Sequence, residues 1–188
     1  MGRPRTATER PEGLVYRPEF LSRDEEARLL TFLDALEFHA VEMRGQIAKR
    51  TVRHFGLKYE YESWRVTPGE SLPAELEWLR DRAAGLAGAA PHDLAETLLS
   101  RYPPGAGIGW HRDAPMFGAV VGISLRSACR MRFQRGKGEE RRVWELELEP
   151  RSAYLLAGPV RTSWQHSIPA TKDLRYSVTF RTLRKGSS

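Results

Sequence analysis

Hydrophobic and polar positions follow two different rhythms along this chain. In the first half, apolar residues recur every three or four positions. Leu29, Leu30, Leu33 and Leu36 fall on one helical face, and Ser22-Arg23-Asp24-Glu25 ahead of them has the capping-box spacing. In that motif a hydroxyl and a carboxylate close the first free amides, which predicts a helix over about 22–36. Leu76, Leu79, Ala83 and Leu86 repeat the stripe, with Pro73 suited to the first helical position and Gly88 to the end, so a second helix is expected over about 73–87. The loop that follows carries His92, expected in solvent. From Leu98 onward the period changes to two. Trp144, Leu146 and Leu148 alternate with Glu145 and Glu147, as on a half-buried strand. Strands are expected at 98–102, 107–111, 118–125, 129–134, 142–148, 152–157, 163–168 and 175–183, separated by Gly, Pro, Lys and Asp, with Gly136-Lys137-Gly138 as a hairpin turn. A short strand is also expected at Leu14-Val15-Tyr16. Eight short strands after two helices predict an α+β, mainly β chain: a double-stranded β-helix (jelly-roll) core buttressed by two N-terminal helices.

The stretch between the helices is less regular. Lys49 to Gly56 and Lys58 to Tyr61 read as two strands broken at Gly56. Four cations (Lys49, Arg50, Arg53, Lys58) alternate there with Phe55, Tyr59 and Tyr61. Aromatics interleaved with cations suit stacking on bases while phosphates are held, with Tyr59 the leading candidate. An ordinary strand pair, rings inward and cations in water, fits equally well.

Composition narrows the class. A chain of 188 residues is most simply one domain, and five Trp, seven Phe and six Tyr can fill a sizeable core. Residues 1–13 are polar and rich in Arg and Pro, as in a flexible arm. No apolar run approaches membrane-spanning length, and nothing apolar follows the basic N-terminal residues as in a signal peptide. The single Cys, Cys129, excludes an internal disulfide and suits a cytoplasmic protein in which it is a small buried hydrophobe. A formal charge of +6 favours polyanionic partners. Arg126, Arg130, Arg132, Arg135, Lys137, Arg141 and Arg142 crowd one stretch that holds only Glu139 and Glu140 against them, either a solvated face or a phosphate-holding rim.

The candidate chemistry sits after a Pro/Gly turn. On an extended backbone His111 and Asp113 leave the same face, offering an imidazole and a carboxylate to a divalent metal. A distant His166 would complete a two-His-one-carboxylate triad, the arrangement that leaves positions open for Fe(II) oxygen chemistry. Arg175, Ser177, Thr179 and Arg181 share one face of a strand whose other face carries Tyr176, Val178 and Phe180. The two arginine backbones lie roughly 20 Å apart at strand rise, so both serve one small dicarboxylate only where their side chains converge.

Taken in order, Tyr102, His111-x-Asp113, His166 and Arg175-x5-Arg181 resemble the AlkB family of Fe(II)- and 2-oxoglutarate-dependent dioxygenases. The resemblance covers the chain well from about Leu98 onward, thinly over Lys49–Tyr61, and does not reach earlier residues. It implies the same jelly-roll fold, a nucleotide-recognition lid over about 40–66 and the core over 98–184. It implies Fe(II) on His111, Asp113 and His166, with O2 at an open position, although Zn(II) or Mn(II) can replace iron in such a site. It places 2-oxoglutarate with its distal carboxylate on Arg175 and the Tyr102 hydroxyl, Arg181 nearer the metal-bound end, and Ser100 and Ser177 alongside. The fork of Arg matches a carboxylate in a way Lys does not. It implies removal of N-alkyl groups from bases in a single strand or flipped from a duplex. The interleaved aromatics and cations and the basic run make Tyr59, Tyr61, Arg53 and Arg130 the expected contacts to the nucleic acid, and the chain is expected to be a monomer. Ser100 and Ser177 stand where many relatives have Asn, and Pro115 where some have an acid. The same oxygenase on a protein or small molecule, and a non-catalytic nucleic-acid-binding β-barrel, are the competing readings.

Overall fold

The computed structural model describes residues 5–6, 9–43, 45–60 and 65–184, with residues 5, 6, 43, 59 and 60 described by backbone alone. The elements run β1 (Arg5–Thr6), β2 (Leu14–Arg17), α1 (Arg23–Ala35), β3 (His39–Met43), β4 (Gln46–Glu60), β5 (Arg65–Pro68), α2 (Ala74–Ala87), β6 (Glu96–Tyr102), β7 (Ile108–His111), β8 (Phe117–Leu125), β9 (Cys129–Arg135), β10 (Arg142–Leu148), β11 (Ser152–Leu156), α3 (Pro159–Thr162), β12 (Gln165–Ile168) and β13 (Arg175–Leu183). They form a smaller sheet in the order β1-β10-β9-β12-β7 and a larger one in the order β2-β11-β8-β13-β6-β4-β3, with β5 added to β4. Every pair except β1–β10 is antiparallel. No helix among the described residues is long and apolar enough to cross a membrane.

The larger sheet is covered on both faces. Leu29 and Leu33 of α1 and Leu76, Leu79 and Ala83 of α2 pack with Leu99, Ile123, Val178 and Phe180 in one core. A second core lies between the two sheets, around Tyr102, Val120, Met131, Phe133, Leu148, Tyr154 and Ile168. β13 runs between the two. Tyr176, Val178 and Phe180 face the helices, while Arg175, Ser177, Thr179 and Arg181 face the space between the sheets, and all seven are buried. Four polar side chains turned into the interior of a fold are costly unless partners or a ligand meet them.

Ser22 caps α1 as its sequence requires. Its Oγ accepts from the Glu25 N–H at 3.1 Å, and its own N–H donates to Glu25 Oε2 at 2.9 Å. Glu25 also ties α1 to α2, since Arg82 donates to both its oxygens at 2.7 and 2.8 Å. These bonds from Arg82, then that from the Ser22 amide, pull the Glu25 carboxyl down to about 2. A carboxylate depressed in the folded state stabilises fully above its ordinary value near 4.5 and loses that contribution as pH falls toward 2. Glu25→Gln is therefore expected to lower the neutral-pH unfolding midpoint and to flatten its decline between pH 4.5 and 2. A pH series of thermal melts measures both; an unchanged slope contradicts the clamp.

Several expectations need correction. β4 is one strand, not two broken at Gly56. Gly56 has φ of 75° and marks a change of partner: β4 pairs with β6 up to Gly56 and with β5 from Leu57. A Cβ there would lie 2.4 Å from the Ala95 carbonyl oxygen, so only glycine fits. Phe55 is buried in the helix-side core, so its ring packs inward and does not stack on a base. Pro73 is the N-cap of α2 rather than its first residue. β3 and β5 were not expected, nor the helical turn α3 between β11 and β12. Within the expected N-terminal arm, Arg5–Thr6 pairs in parallel with Arg142 and Val143.

Candidate active site

β12 is inserted between β9 and β7, and this sets His166 directly opposite His111 as a cross-strand pair. The two rings lie 4.3 Å apart between centroids. Asp113 follows two residues after the end of β7, and its Oδ2 lies 3.6 Å from His166 Nε2. One ligand atom from each of His111, Asp113 and His166 lies within 4.8 Å of the others, the one such group among the described residues. The Gly109 carbonyl accepts from His111 Nδ1 at 2.8 Å, which leaves Nε2 as the free nitrogen.

Charges around the triad favour its metal-ready form. Burial pushes the His166 imidazole down to about 3, and the neighbouring His111 lowers it further than Asp113 can offset. His111 is also lowered, by burial first and then by Arg50 and Arg181 against Asp113. Both imidazoles are thus neutral at physiological pH, as a metal ligand must be. Burial pushes Asp113 up, but Arg181, His166 and His111 outweigh it and hold the carboxylate below its ordinary range. Arg181 donates to Asp113 Oδ1 from Nε at 3.2 Å and Nη2 at 2.8 Å. Asp113 Oδ2 is buried with no hydrogen-bond partner. A neutral, neutral, anionic N,N,O set with one oxygen tied back and the other free fits a divalent cation, and the orphaned oxygen is the atom that cation would satisfy.

The same cavity holds Arg175, which is completely buried. Its Nε donates to Ser124 Oγ at 3.0 Å, and its guanidinium carbon lies 5.0 Å from the centre of the Tyr102 ring. Both terminal nitrogens, Nη1 and Nη2, lack a partner. Arg175 and Arg181 line one pocket with Ser100, Tyr102, Ser177, Thr179 and the triad, so the side chains do converge despite their spacing along β13. A buried unsatisfied fork is a cost that a carboxylate removes, and the residues fit a dicarboxylate between Arg175 and the triad. Tyr154 closes the pocket because Gly122, its cross-strand partner, has no side chain; a Cβ there would lie 2.2 Å from the Tyr154 ring.

Two residues of this neighbourhood were not assigned to the site from the sequence: Arg50 was read only as one of four cations suited to phosphates, and Glu96 was given no role. Arg50 is buried, donates to Ser100 Oγ at 3.2 Å and lines the pocket. Glu96 is buried and accepts from Arg181 Nη1 at 2.7 Å. The available signal was period two: Glu96, Leu98, Ser100 and Tyr102 share one face of β6. Arg53 and Arg130, assigned to a nucleic acid, do not line this pocket. Arg53 donates to Glu70 at 2.6 Å and to the Glu37 carbonyl at 3.3 Å. Arg130 is exposed and pairs with Glu145 at 3.4 Å, and Glu147 and Glu145 stand opposite Arg130 and Arg132 on β10. The basic stretch is therefore not one-signed once folded. Tyr61 lies outside the described residues, as does the side chain of Tyr59. A larger open cleft of about 320 Å³, lined by Glu9, Arg10, Glu12, Arg135, Arg142 and Trp164, holds no cluster of three His, Cys, Asp or Glu side chains able to share a metal ion among the described residues.

Comparison with known proteins agrees with this geometry. Residues 13–181 match the family model described as the 2OG-Fe(II) oxygenase superfamily. The tRNA (carboxymethyluridine(34)-5-O)-methyltransferase ALKBH8 of Macaca fascicularis is 29% identical over 174 residues, covering 86% of this chain and 25% of that protein. The human DNA oxidative demethylase ALKBH2 is 31% identical over 140 residues, covering 67% of this chain and 52% of that protein. The chain thus spans a quarter to a half of these relatives. Among solved structures, OsALKBH1 superposes with a TM-score of 0.70 at 16% identity, covering 94% of this chain and 99% of that one. A Pseudomonas putida prolyl-4-hydroxylase superposes with a TM-score of 0.61 at 15% identity, covering 93% and 94%. These two show the jelly-roll fold. With its family model matched over most of its length and its N,N,O triad facing a buried arginine across one cavity, the chain belongs to the 2OG-Fe(II) oxygenase superfamily, as an AlkB-like member.

Proposed function

We propose that this chain is a dioxygenase that uses Fe(II), 2-oxoglutarate and O2 to remove N-alkyl groups from nucleic-acid bases. The observation that carries the reading is the pairing of the triad with the unpartnered Arg175 guanidinium in one buried cavity. His111, Asp113 and His166 would hold the metal. Arg175 would take the distal carboxylate of 2-oxoglutarate, with Tyr102 beside it, and Arg181 would keep Asp113 aimed. Bound there, Fe(II) supplies the chemistry by which O2 oxidises 2-oxoglutarate to succinate and carbon dioxide while the second oxygen atom hydroxylates the alkyl carbon. A hydroxylated N-methyl carbon leaves as formaldehyde and restores the base. The chain's own task is to fix the cosubstrate, keep bulk water out between its sheets and present the alkyl carbon. A base in a duplex must first leave the stack.

The substrate class rests on the relatives, one named as a DNA demethylase and one as a tRNA-modifying enzyme, and on the charge of +6. One observation favours a second reading, the same chemistry on a protein or small molecule: Arg53 and Arg130 are already engaged by Glu70 and Glu145. Competition separates the two. Under the nucleic-acid reading, an N-methylated single-stranded oligonucleotide has a kcat/KM at least about tenfold above the matching free nucleoside, and the advantage shrinks as salt rises. Equal kcat/KM values at all salt concentrations favour the second reading.

A further inference from the structure

Arg181 has two carboxylate partners, and only one belongs to the triad. Its Nε and Nη2 donate to Asp113 Oδ1, and its Nη1 donates to Glu96 Oε2 at 2.7 Å. Glu96 is 2% exposed, so this anion has been taken out of water to stand beside the guanidinium. Its other oxygen, Oε1, lies 3.5 Å from His54 Nδ1 on β4. The backbone partners of Glu96 are Gly56, where β4 leaves β6 for β5, and on the other side Arg181 itself on β13. The backbone on either side of Glu96 is therefore fixed, and the hydrogen bond that holds its carboxylate comes from Arg181 across the β6–β13 pair.

The consequence for the triad is geometric and electrostatic. A guanidinium is planar, so a partner on Nη1 fixes the direction of Nε and Nη2 as well. With Glu96 in place, both fall on one oxygen of Asp113 and leave Oδ2 free. An Arg181 without Glu96 would be free to rotate toward Oδ2. Its positive charge would also act undiluted on the atoms that receive a dication. Glu96 neutralises part of that charge at a point the metal does not reach. We propose that Glu96 is a positioning residue for the metal centre: it aims Arg181 and restores to Asp113 the negative charge that Arg181 would otherwise cancel. This inference rests on the reading of His111, Asp113 and His166 as metal ligands.

The test is a Mn(II) titration of the metal-free chain, with the free ion followed by EPR. Wild type, Glu96→Gln, Glu96→Ala and His111→Ala are compared, with a thermal melt of each. Glu96→Gln keeps an acceptor for Arg181 but no charge; it is expected to bind Mn(II) about tenfold more weakly, with an unfolding midpoint close to wild type. Glu96→Ala loses both effects and is expected to bind about a hundredfold more weakly. Wild-type affinity in Glu96→Gln overturns the inference whatever the alanine variant does. His111→Ala separates the two levels. If it loses Mn(II) that wild type binds, the ligand reading stands and the Glu96 result stands or falls alone. If wild type binds no Mn(II), the metal centre and this inference fail together.

Discussion

Asp113→Asn is expected to abolish metal-dependent turnover while the fold persists. The substitution keeps the shape of the side chain, and an amide oxygen in place of Oδ1 still accepts from Arg181. The group that replaces Oδ2 is an NH2, which turns a donor toward the space where a cation would sit. It also removes the one anionic ligand of the triad, so the Arg181 guanidinium faces the cation with only Glu96 to offset its charge. Losing several kcal/mol of charge stabilisation corresponds to a fall in turnover of about a thousandfold. The unfolding midpoint of the metal-free protein should move little, because Arg181 keeps Glu96. Turnover with saturating Fe(II) and 2-oxoglutarate, set beside a melt, measures both. Activity within tenfold of wild type would show that Asp113 is not a ligand.

Arg175→Met is expected to have the second-largest effect, and in two opposite directions. Removing the fork deletes the charge-assisted hydrogen bonds proposed for the distal carboxylate. Bonds to charged groups contribute about 1.5–3 kcal/mol, so apparent affinity for 2-oxoglutarate should fall about a hundredfold. Arg175→Lys restores a charge but not the two-pronged geometry and should recover only part of it. The unliganded protein should respond in the opposite sense. In it, Nη1 and Nη2 are buried and unpartnered, and an apolar side chain of similar volume in such a place is often neutral or stabilising. The Met variant should therefore melt no lower than wild type without ligand, and should lose the rise in midpoint that 2-oxoglutarate gives wild type. A Met variant with an undiminished ligand-induced rise contradicts the assignment.

How much of this was legible in the sequence depends on the range of the contact. Period two was enough to place Arg175, Ser177, Thr179 and Arg181 on one face of β13, because that relation lies within one strand. His166 against His111 was legible only as an ordered set of residues. Their opposition follows from the insertion of β12 between β9 and β7, a pairing that no local pattern encodes. Gly56 read as a break because glycine usually interrupts a strand; here the strand continues and exchanges partners across it. Glu96 was missed because a charged residue at the start of an apolar run reads as loop, although burial against Arg181 makes it interior. Arg130 looked available because the anions that face it lie in a later strand. Capping and helical stripes, by contrast, are local chemistry, and α1 and α2 fall within a residue or two of their expected limits.

The most direct measurement is a product count. The protein is loaded anaerobically with Fe(II) and 2-oxoglutarate, oxygen is admitted, and succinate and formaldehyde are quantified with an N-methylated and an unmethylated single-stranded oligonucleotide. Formaldehyde equal to succinate is expected with the methylated strand, little of either with the unmethylated one, and neither product from Asp113→Asn. Succinate that is indifferent to the methylated strand, with no formaldehyde, would contradict the nucleic-acid assignment. Absence of both products from protein shown to hold iron would contradict the dioxygenase itself.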